Sequence, residues 1–370
     1  MVRAALCLVA ALLAACGETV EAPEAPEAPT VSARITSASA ERDATDAPVR
    51  LAWSTDPAGA PVDVLVAAAP GTPVEDMERL AAAVTEGSFE APLDGRRYFA
   101  LRTAGGSVHR TAVRVLPLAG GRNFRDLGGY TTVDGRRVRW GQVYRSGTMA
   151  GITEEDYGYL DGLDVRVLVD FRATEERETE PTVWVPDDPE YWARDYSADE
   201  SASGLRALFS GGAVSAEATR RMMTESYASS AFQQAEAYTV MFDRLAAGEL
   251  PLVFNCSAGK DRTGIAAALL LTALGVPRDQ VVADYAMSDD IVDYGAAFLD
   301  GEEGADGPYA FMRQLPREAI MPLLASEPAY IEAALDTLAA EHGSVMNFIR
   351  TELDVTDEEL AAIRALLLEG

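Results

Sequence analysis

Residues 251–276 read PLVFNCSAGKDRTGIAAALLLTALGV: a short apolar run, a turn of small and polar residues, then a longer apolar run. PLVFN at 251–255 has the length and composition of a buried strand, and the stretch from Thr263 to Leu274 that of a buried helix. VRVLVDF at 165–171 is a second buried strand. Helical patterns surround these strands: ITEEDYGYLDGL, QQAEAYTVMFDRLAAG ending at Gly248, PAYIEAALDTLAAEHG and TDEELAAIRALLLEG. Strand–turn–helix units of this kind predict an α/β fold, with a mostly parallel central sheet flanked by helices.

The turn concentrates unusual residues. It holds Lys260, the only lysine among 31 basic residues, and Cys256, one of three cysteines. A strand leading through a small-residue turn into a helix is an anion-binding geometry: the turn's N–H groups and those of the first helical turn converge, and the helix dipole favours negative charge. Ser257, Ala258, Gly259 and Lys260 supply the cradle, and Gly259 permits a backbone path that a Cβ would obstruct. Arg262 adds a planar fork for two phosphate oxygens. The same positive surroundings stabilise a thiolate at Cys256, placed to attack a bound phosphate ester. A leaving alkoxide or phenoxide needs a proton, and Asp261 is the nearest donor. Thr263 is placed to donate a hydrogen bond to the cysteine sulfur.

The run from Cys256 to Thr263 fits the CX5R signature, and resembles the cysteine-dependent protein tyrosine phosphatases. Its GKDRTG ending is similar to a bacterial branch with tyrosine, serine/threonine and phosphoinositide activity. NFRDLGGY at 123–130, YRSG at 144–147 and a strand ending in Asp170, Phe171 and Arg172, with Glu175 and Glu176 close behind, extend the resemblance over about 119–370. The resemblance implies the phosphatase fold, Cys256 as nucleophile, Arg262 as phosphate clamp, Asp261 as general acid, and neither metal nor cofactor. Arg125 and Asp126 join the candidate substrate-binding set, Asp126 with the alternative of capping a turn and Arg125, like Arg172, with that of a salt-bridged arginine. One position departs from the pattern: Asn255 stands where His commonly precedes the cysteine. Its amide is expected to hydrogen-bond the loop backbone.

The N-terminus sets the compartment. MVRAALCLVAALLAAC carries Arg3 and then an apolar run too short to span a bilayer. Leu13, Ala14, Ala15 and Cys16 resemble a lipobox, which implies cleavage before Cys16 and lipid on it. An ordinary secretory signal cleaved nearby, or a short anchor, is the alternative. The chain then divides into a signal peptide (1–15), an acidic Ala-Pro tether (16–30) of roughly 40 Å reach at ~3.1 Å per residue, an all-β module (31–118) and the phosphatase-like region (119–370). The β module shows short alternating stretches with Pro, Gly and Asp between them. It loosely resembles a fibronectin type III-like sandwich, with PVEDMERLAAAV read as a short helical insert. Cys256 is left as the sole thiol of the mature chain, so it has no internal disulfide partner. A net charge of −28 argues against nucleic-acid binding and against adsorption to anionic lipid through the protein surface. Membrane contact is therefore expected through the lipid, in the cell envelope, and the partner is a phosphorylated protein or a phosphoinositide.

Competing readings are few. A Walker A loop needs a glycine five residues before Gly-Lys, and none is present. Lys260 is read as a contact for a second anionic group, or as a solvated charge. Asp187 and Asp188 of WVPDDP (184–189) are reserve general acids. His109 and His342 are structural, and Met222, Met223 and the 212–230 stretch are a candidate lid or substrate-binding segment. The alternative function is a phosphate-ligand binding lipoprotein that does not turn its ligand over.

Overall fold

In the computed structural model the described residues are 32–184, 188–197, 215–300 and 310–370. Seven N-terminal strands come first: β1 (Arg34–Glu41), β2 (Val49–Asp56), β3 (Val62–Ala67), β4 (Glu78–Val84), β5 (Ser88–Ala91), β6 (Tyr98–Thr103) and β7 (Val108–Ala112). They form two antiparallel sheets, ordered β1-β2-β5 and β4-β3-β6-β7. The alternating inward residues Val49, Leu51 and Trp53 of one sheet share a core with Val62, Val64, Val66, Phe99 and Leu101 of the other. This is the alternation that a sheet with one buried face requires. The helical insert expected in PVEDMERLAAAV is not a helix beyond a single 3₁₀ turn at Val74–Asp76; the rest is β4. The cause is visible in the register. Shifts opposite β4, between Val62 and Val64 and between Val64 and Leu65, break strict alternation. Apolar packing then falls on Leu80, Ala81 and Val84, a spacing that imitates a helix.

The main sheet follows. It contains β8 (Arg125–Asp126), β10 (Val143–Ser146), β11 (Val167–Asp170), β12 (Glu190–Ala193) and β13 (Leu252–Asn255), in the order β12-β11-β13-β10-β8. All pairs are parallel except β10 with β8. A small pair, β9 (Arg137–Val138) with β14 (Leu368–Glu369), ties in the C-terminus. The helices are α1 (Glu154–Leu160), α2 (Thr174–Thr179), α3 (Ala216–Gln233), α4 (Ala235–Ala246), α5 (Asp261–Leu274), α6 (Arg278–Ala286), α7 (Ser288–Ile291), α8 (Arg317–Leu324), α9 (Pro328–His342), α10 (Val345–Thr351) and α11 (Asp357–Leu367).

Register places the working end of the sheet. Asn255 pairs with both Ser146 and Asp170, so β10, β11 and β13 end together. The three segments that follow, at 147–148, 171–172 and 256–260, therefore emerge side by side, where open α/β sheets place their ligands. Helix α5 leaves from the last of these. It is buried nearly all round, from Thr263 and Gly264 through Leu274, which explains an apolar run without polar alternation. No helix among the described residues is long and apolar enough to cross a membrane.

Ala33–Gly370 is one compact unit, and the expected division at 118 runs through a continuous set of contacts. Leu116 N–H donates to the Phe124 carbonyl and Asp126 N–H to that of Arg114, so the connecting segment pairs along β8. Arg96, between β5 and β6, reaches into the seam. Its Nη2 meets Asp126 at 2.6 Å with both side chains wholly buried, and it also donates to the Val113 carbonyl. Removing one partner of such a pair leaves an uncompensated buried charge. Arg96→Met is therefore expected to destabilise the protein by about 3–5 kcal/mol in denaturant unfolding. A loss below about 1 kcal/mol would show that the pair behaves like a surface ion pair and does not anchor the seam.

Candidate active site

The turn at 256–260 is shaped by what pulls on its carbonyls. The Ser257 carbonyl accepts from the Thr148 N–H and from Arg122 Nη1, both at 3.0 Å. The Ala258 carbonyl accepts from the Tyr294 hydroxyl at 2.9 Å. The Gly259 carbonyl accepts from Asn123 Nδ2 at 2.8 Å and Arg145 Nη2 at 2.9 Å. A trans peptide points its N–H opposite to its C=O. With three successive carbonyls drawn outward, the N–H groups of Ala258, Gly259 and Lys260 turn to the opposite side and join the free N–H groups that begin α5. Gly259 makes this path possible: its φ is +73°, and a Cβ there would lie 2.4 Å from the Gly147 nitrogen.

Behind the turn sits a buried charge cluster. Asp284 of α6 binds Arg145, meets Arg125 Nε at 3.5 Å, and accepts from the Tyr130 hydroxyl at 2.9 Å. Burial would raise the Asp284 carboxyl, but Arg145 and Arg125 outweigh it and hold it at about 2. Burial, with Arg145 alongside, pushes Arg125 down to about 10, which leaves it charged at neutral pH. Arg125 also donates to the Asn123 side-chain oxygen, so it steadies the residue that holds Gly259.

Arg262, on the first turn of α5, is clamped end-on. Its Nη1 and Nη2 meet the two Glu176 oxygens at 2.6 and 2.7 Å, and Nη1 also reaches the Tyr196 hydroxyl and the Phe171 carbonyl. Glu176 accepts in addition from the Ser257 hydroxyl and the Ala173 N–H. Burial raises the Glu176 carboxyl; the Arg262 guanidinium, with these hydrogen bonds, outweighs it and holds the group at about 2. Among the described residues nothing accepts from Arg262 Nε–H, so the side-on Nε/Nη2 edge of the fork is open to a ligand. Cys256 begins the turn and is 1 % exposed. The Asp261 carboxyl is 37 % exposed, meets Lys260 Nζ at 3.7 Å, and accepts a hydrogen bond from Tyr227.

Comparison with known proteins gives the family. Residues 116–369 match the model of the tyrosine phosphatase family. The chain belongs to that family. It is 35 % identical over 250 residues to a putative tyrosine-protein phosphatase of Cupriavidus necator, covering 67 % of this chain and 86 % of that protein. It is 28 % identical over 285 residues to the triple specificity protein phosphatase PtpB of Mycobacterium tuberculosis, covering 70 % and 99 %. A tyrosine-protein phosphatase of Nostoc commune is 26 % identical over 214 residues, covering 54 % and 70 %.

For this tyrosine phosphatase, several sequence expectations are corrected by side-chain placement. Arg125 and Asp126 are both wholly buried and engaged by other protein groups. Arg125 supports the loop from behind. Asp126 accepts from Arg96, Gly128 N–H and Gly141 N–H at the seam. Arg172 is likewise buried, paired with Asp170 and Thr148. The Thr263 hydroxyl donates to the Ser146 carbonyl at 3.4 Å rather than to the cysteine sulfur. Lys260 is 2 % exposed, with its ammonium on the Leu323 and Ala325 carbonyls at 2.8 Å, at the end of α8. Asn255 is buried, and neither of its amide atoms has a hydrogen-bond partner among the described residues, so the expected bond to the loop backbone is not made. Asp188 is exposed beside Glu190, which pairs with Val167; that is the opposite end of the sheet from Cys256. Asp187 and Cys16 lie outside the described residues.

Of the candidate lid, 212–214 also lie outside the described residues, and the remainder belongs to α3. Met223 packs into the main core and Met222 against it. His109 lies on β7, its imidazole pushed down to about 4 by burial and by Arg137. His342 stacks on Phe232. Sequence reading missed Tyr227, Asp284 and the structural use of Arg145. Of these, only Arg145 stood within a recognisable motif.

Glu176→Gln is expected to cut turnover by about 10²-fold, because the Arg262 fork loses its fixed geometry. The linkage sign is also fixed. A carboxyl lowered from 4.5 to about 2 adds stability above pH 4.5 that is lost as pH falls through about 2. The melting-temperature gap between wild type and Glu176→Gln should therefore narrow from pH 4.5 downward, and a constant gap would refute the assignment.

Proposed function

We propose that this tyrosine phosphatase hydrolyses phosphotyrosine monoesters through a phosphocysteine intermediate. The observation that carries the reading is the outward pull on the three turn carbonyls. It turns successive N–H groups of the turn that begins at Cys256 to the opposite side, next to the start of α5, and Glu176 separately holds Arg262 on the first turn of that helix. In the first step the Cys256 sulfur attacks phosphorus, the bond from phosphorus to the phenolic oxygen breaks, and Asp261 gives its proton to the departing phenoxide. The N–H groups and Arg262 stabilise the charge on the transferring phosphoryl oxygens. In the second step water attacks phosphorus, Asp261 takes its proton, and the P–S bond breaks to release inorganic phosphate and the thiolate.

The position of Lys260 favours phosphotyrosine over phosphoinositide. A second phosphate would have to draw the ammonium away from two backbone carbonyls. A second reading, a phosphate-ligand binder without turnover, is motivated by Asn255, whose unpaired buried amide adjoins the nucleophile. We also keep, as part of the proposal, attachment to the cell envelope through lipid on Cys16.

The deciding assay is hydrolysis of p-nitrophenyl phosphate by residues 31–370 in reductant. Cys256→Ser should lower turnover by about 10³-fold or more, since a serine hydroxyl without a base is a poor nucleophile. Turnover near wild type in the variant would rule out the covalent route. Vanadate binding with no turnover in either protein would favour the binder. For the anchor, Cys16→Ala in the full chain should move the protein from the membrane fraction to the soluble one. Retention of the variant with the membrane would count against lipid on that residue.

A further inference from the structure

We infer that Tyr227 is a positioning residue for the general acid: its hydroxyl, itself held by Tyr285, occupies one oxygen of Asp261 and reserves the other for the transferred proton. This rests on the role given to Asp261 above.

Tyr227 is carried by α3, remote in sequence from the phosphate loop, and is 2 % exposed. Its hydroxyl donates to Asp261 Oδ1 and lies 2.7 Å from the Tyr285 hydroxyl of α6. A phenol has one hydrogen to give. Tyr227 gives its own to Asp261, so the Tyr285 hydrogen must point at Tyr227, and the chain runs one way: Tyr285 to Tyr227 to Asp261. Burial, followed by the Asp261 charge, pushes the Tyr227 phenol well above its ordinary range, so it keeps its proton and acts only as a donor. The ring is fixed by edge contact with Tyr285, centroids 5.9 Å apart, and by Tyr330 at 5.7 Å.

Both neighbours of the carboxyl act on the same oxygen. Tyr227 donates to Oδ1, and Lys260 Nζ stands 3.7 Å from it. A proton on Oδ1 would face a donor and a cation. Oδ2 accepts no hydrogen bond among the described residues, so a proton is carried there at lower cost. The arrangement settles which oxygen delivers the proton and holds the carboxyl against rotation, which is the orientation an acid needs before its substrate arrives. Helix α3 thereby contributes to the chemistry through one hydroxyl.

The test is leaving-group dependence, which a purely structural tyrosine would not alter. Tyr227→Phe keeps the ring and removes the donor. It should lower kcat/KM for phenyl phosphate, whose leaving group needs a proton, by about tenfold, while 2,4-dinitrophenyl phosphate changes by less than about twofold. Asp261→Asn should show the same selectivity more strongly, and adding Tyr227→Phe to it should leave the ratio of the two substrates unchanged. Equal losses on both substrates, no loss on either, or a further change of the ratio in the Asp261→Asn background would overturn the inference. If Tyr227→Phe fails to fold, Tyr285→Phe, which leaves the Asp261 contact in place, should shift the ratio in the same direction by a smaller amount; an unchanged ratio there would overturn it too. A ratio unaffected by Asp261→Asn itself would instead refute the acid assignment, which separates the two failures.

Discussion

The grip on the Gly259 carbonyl is the constraint on which the site depends. Asn123 and Arg145 both hold it, and both are buried. A buried guanidinium is tolerated only with a partner. Asp284 supplies that partner for Arg145 and Arg125 together, leaving two cations and one anion behind the loop. The cluster thus fixes the backbone path and leaves a net positive charge on the far side of the peptide units whose N–H groups face the ligand. Arg262 differs in kind. Its charge is matched by Glu176, so its contribution is a precisely held fork more than a free cation.

The segment around β8 reaches the loop with some of its residues and the N-terminal sheets with others. Asn123 and Arg125 act toward Gly259 and Asp284, while Asp126, the next residue, turns to the opposite face and binds Arg96. Alternation along a strand sends neighbouring side chains to opposite sides. NFRDLGGY therefore serves two cores at once, with one residue set behind the phosphate loop and one in the seam. The Tyr98 and Tyr144 hydroxyls, 3.3 Å apart, bring β6 and β10 together in that seam. The N-terminal sheets are in this sense tied to β8 and β10.

How much of this was legible follows from distance along the chain. The turn at 256–263 could be read as an anion cradle because every part of it is contiguous, and the strand and helix beside it are buried enough to lack polar alternation. The apolar pattern of β11 and β13 was equally plain. Facing was not legible. Arg125 and Asp126 belong to a motif, but the sequence does not show that both are buried in ion pairs with Asp284 and Arg96. Tyr227 and Asp284 carry no local signal at all: each is one polar residue on a helix, given its role by a partner 34 or 139 positions away. β4 was misread because its bulges shift apolar residues into a helical spacing.

The charge of the chain gives the loop's geometry its importance. At −28 the protein repels anions at long range, and the Debye length of about 8 Å at physiological salt confines any attraction to the immediate surroundings of the site. Glu176 matches Arg262, and Asp284 is shared by the two arginines behind the loop, so among these described groups close attraction comes from the excess charge of that pair, the oriented N–H groups and the start of α5. Dipoles of this sort act within a few ångströms and only when aligned. Recognition of a phosphate ester by this protein is therefore a matter of contact geometry, and a substrate must first be brought close by other parts of its own structure.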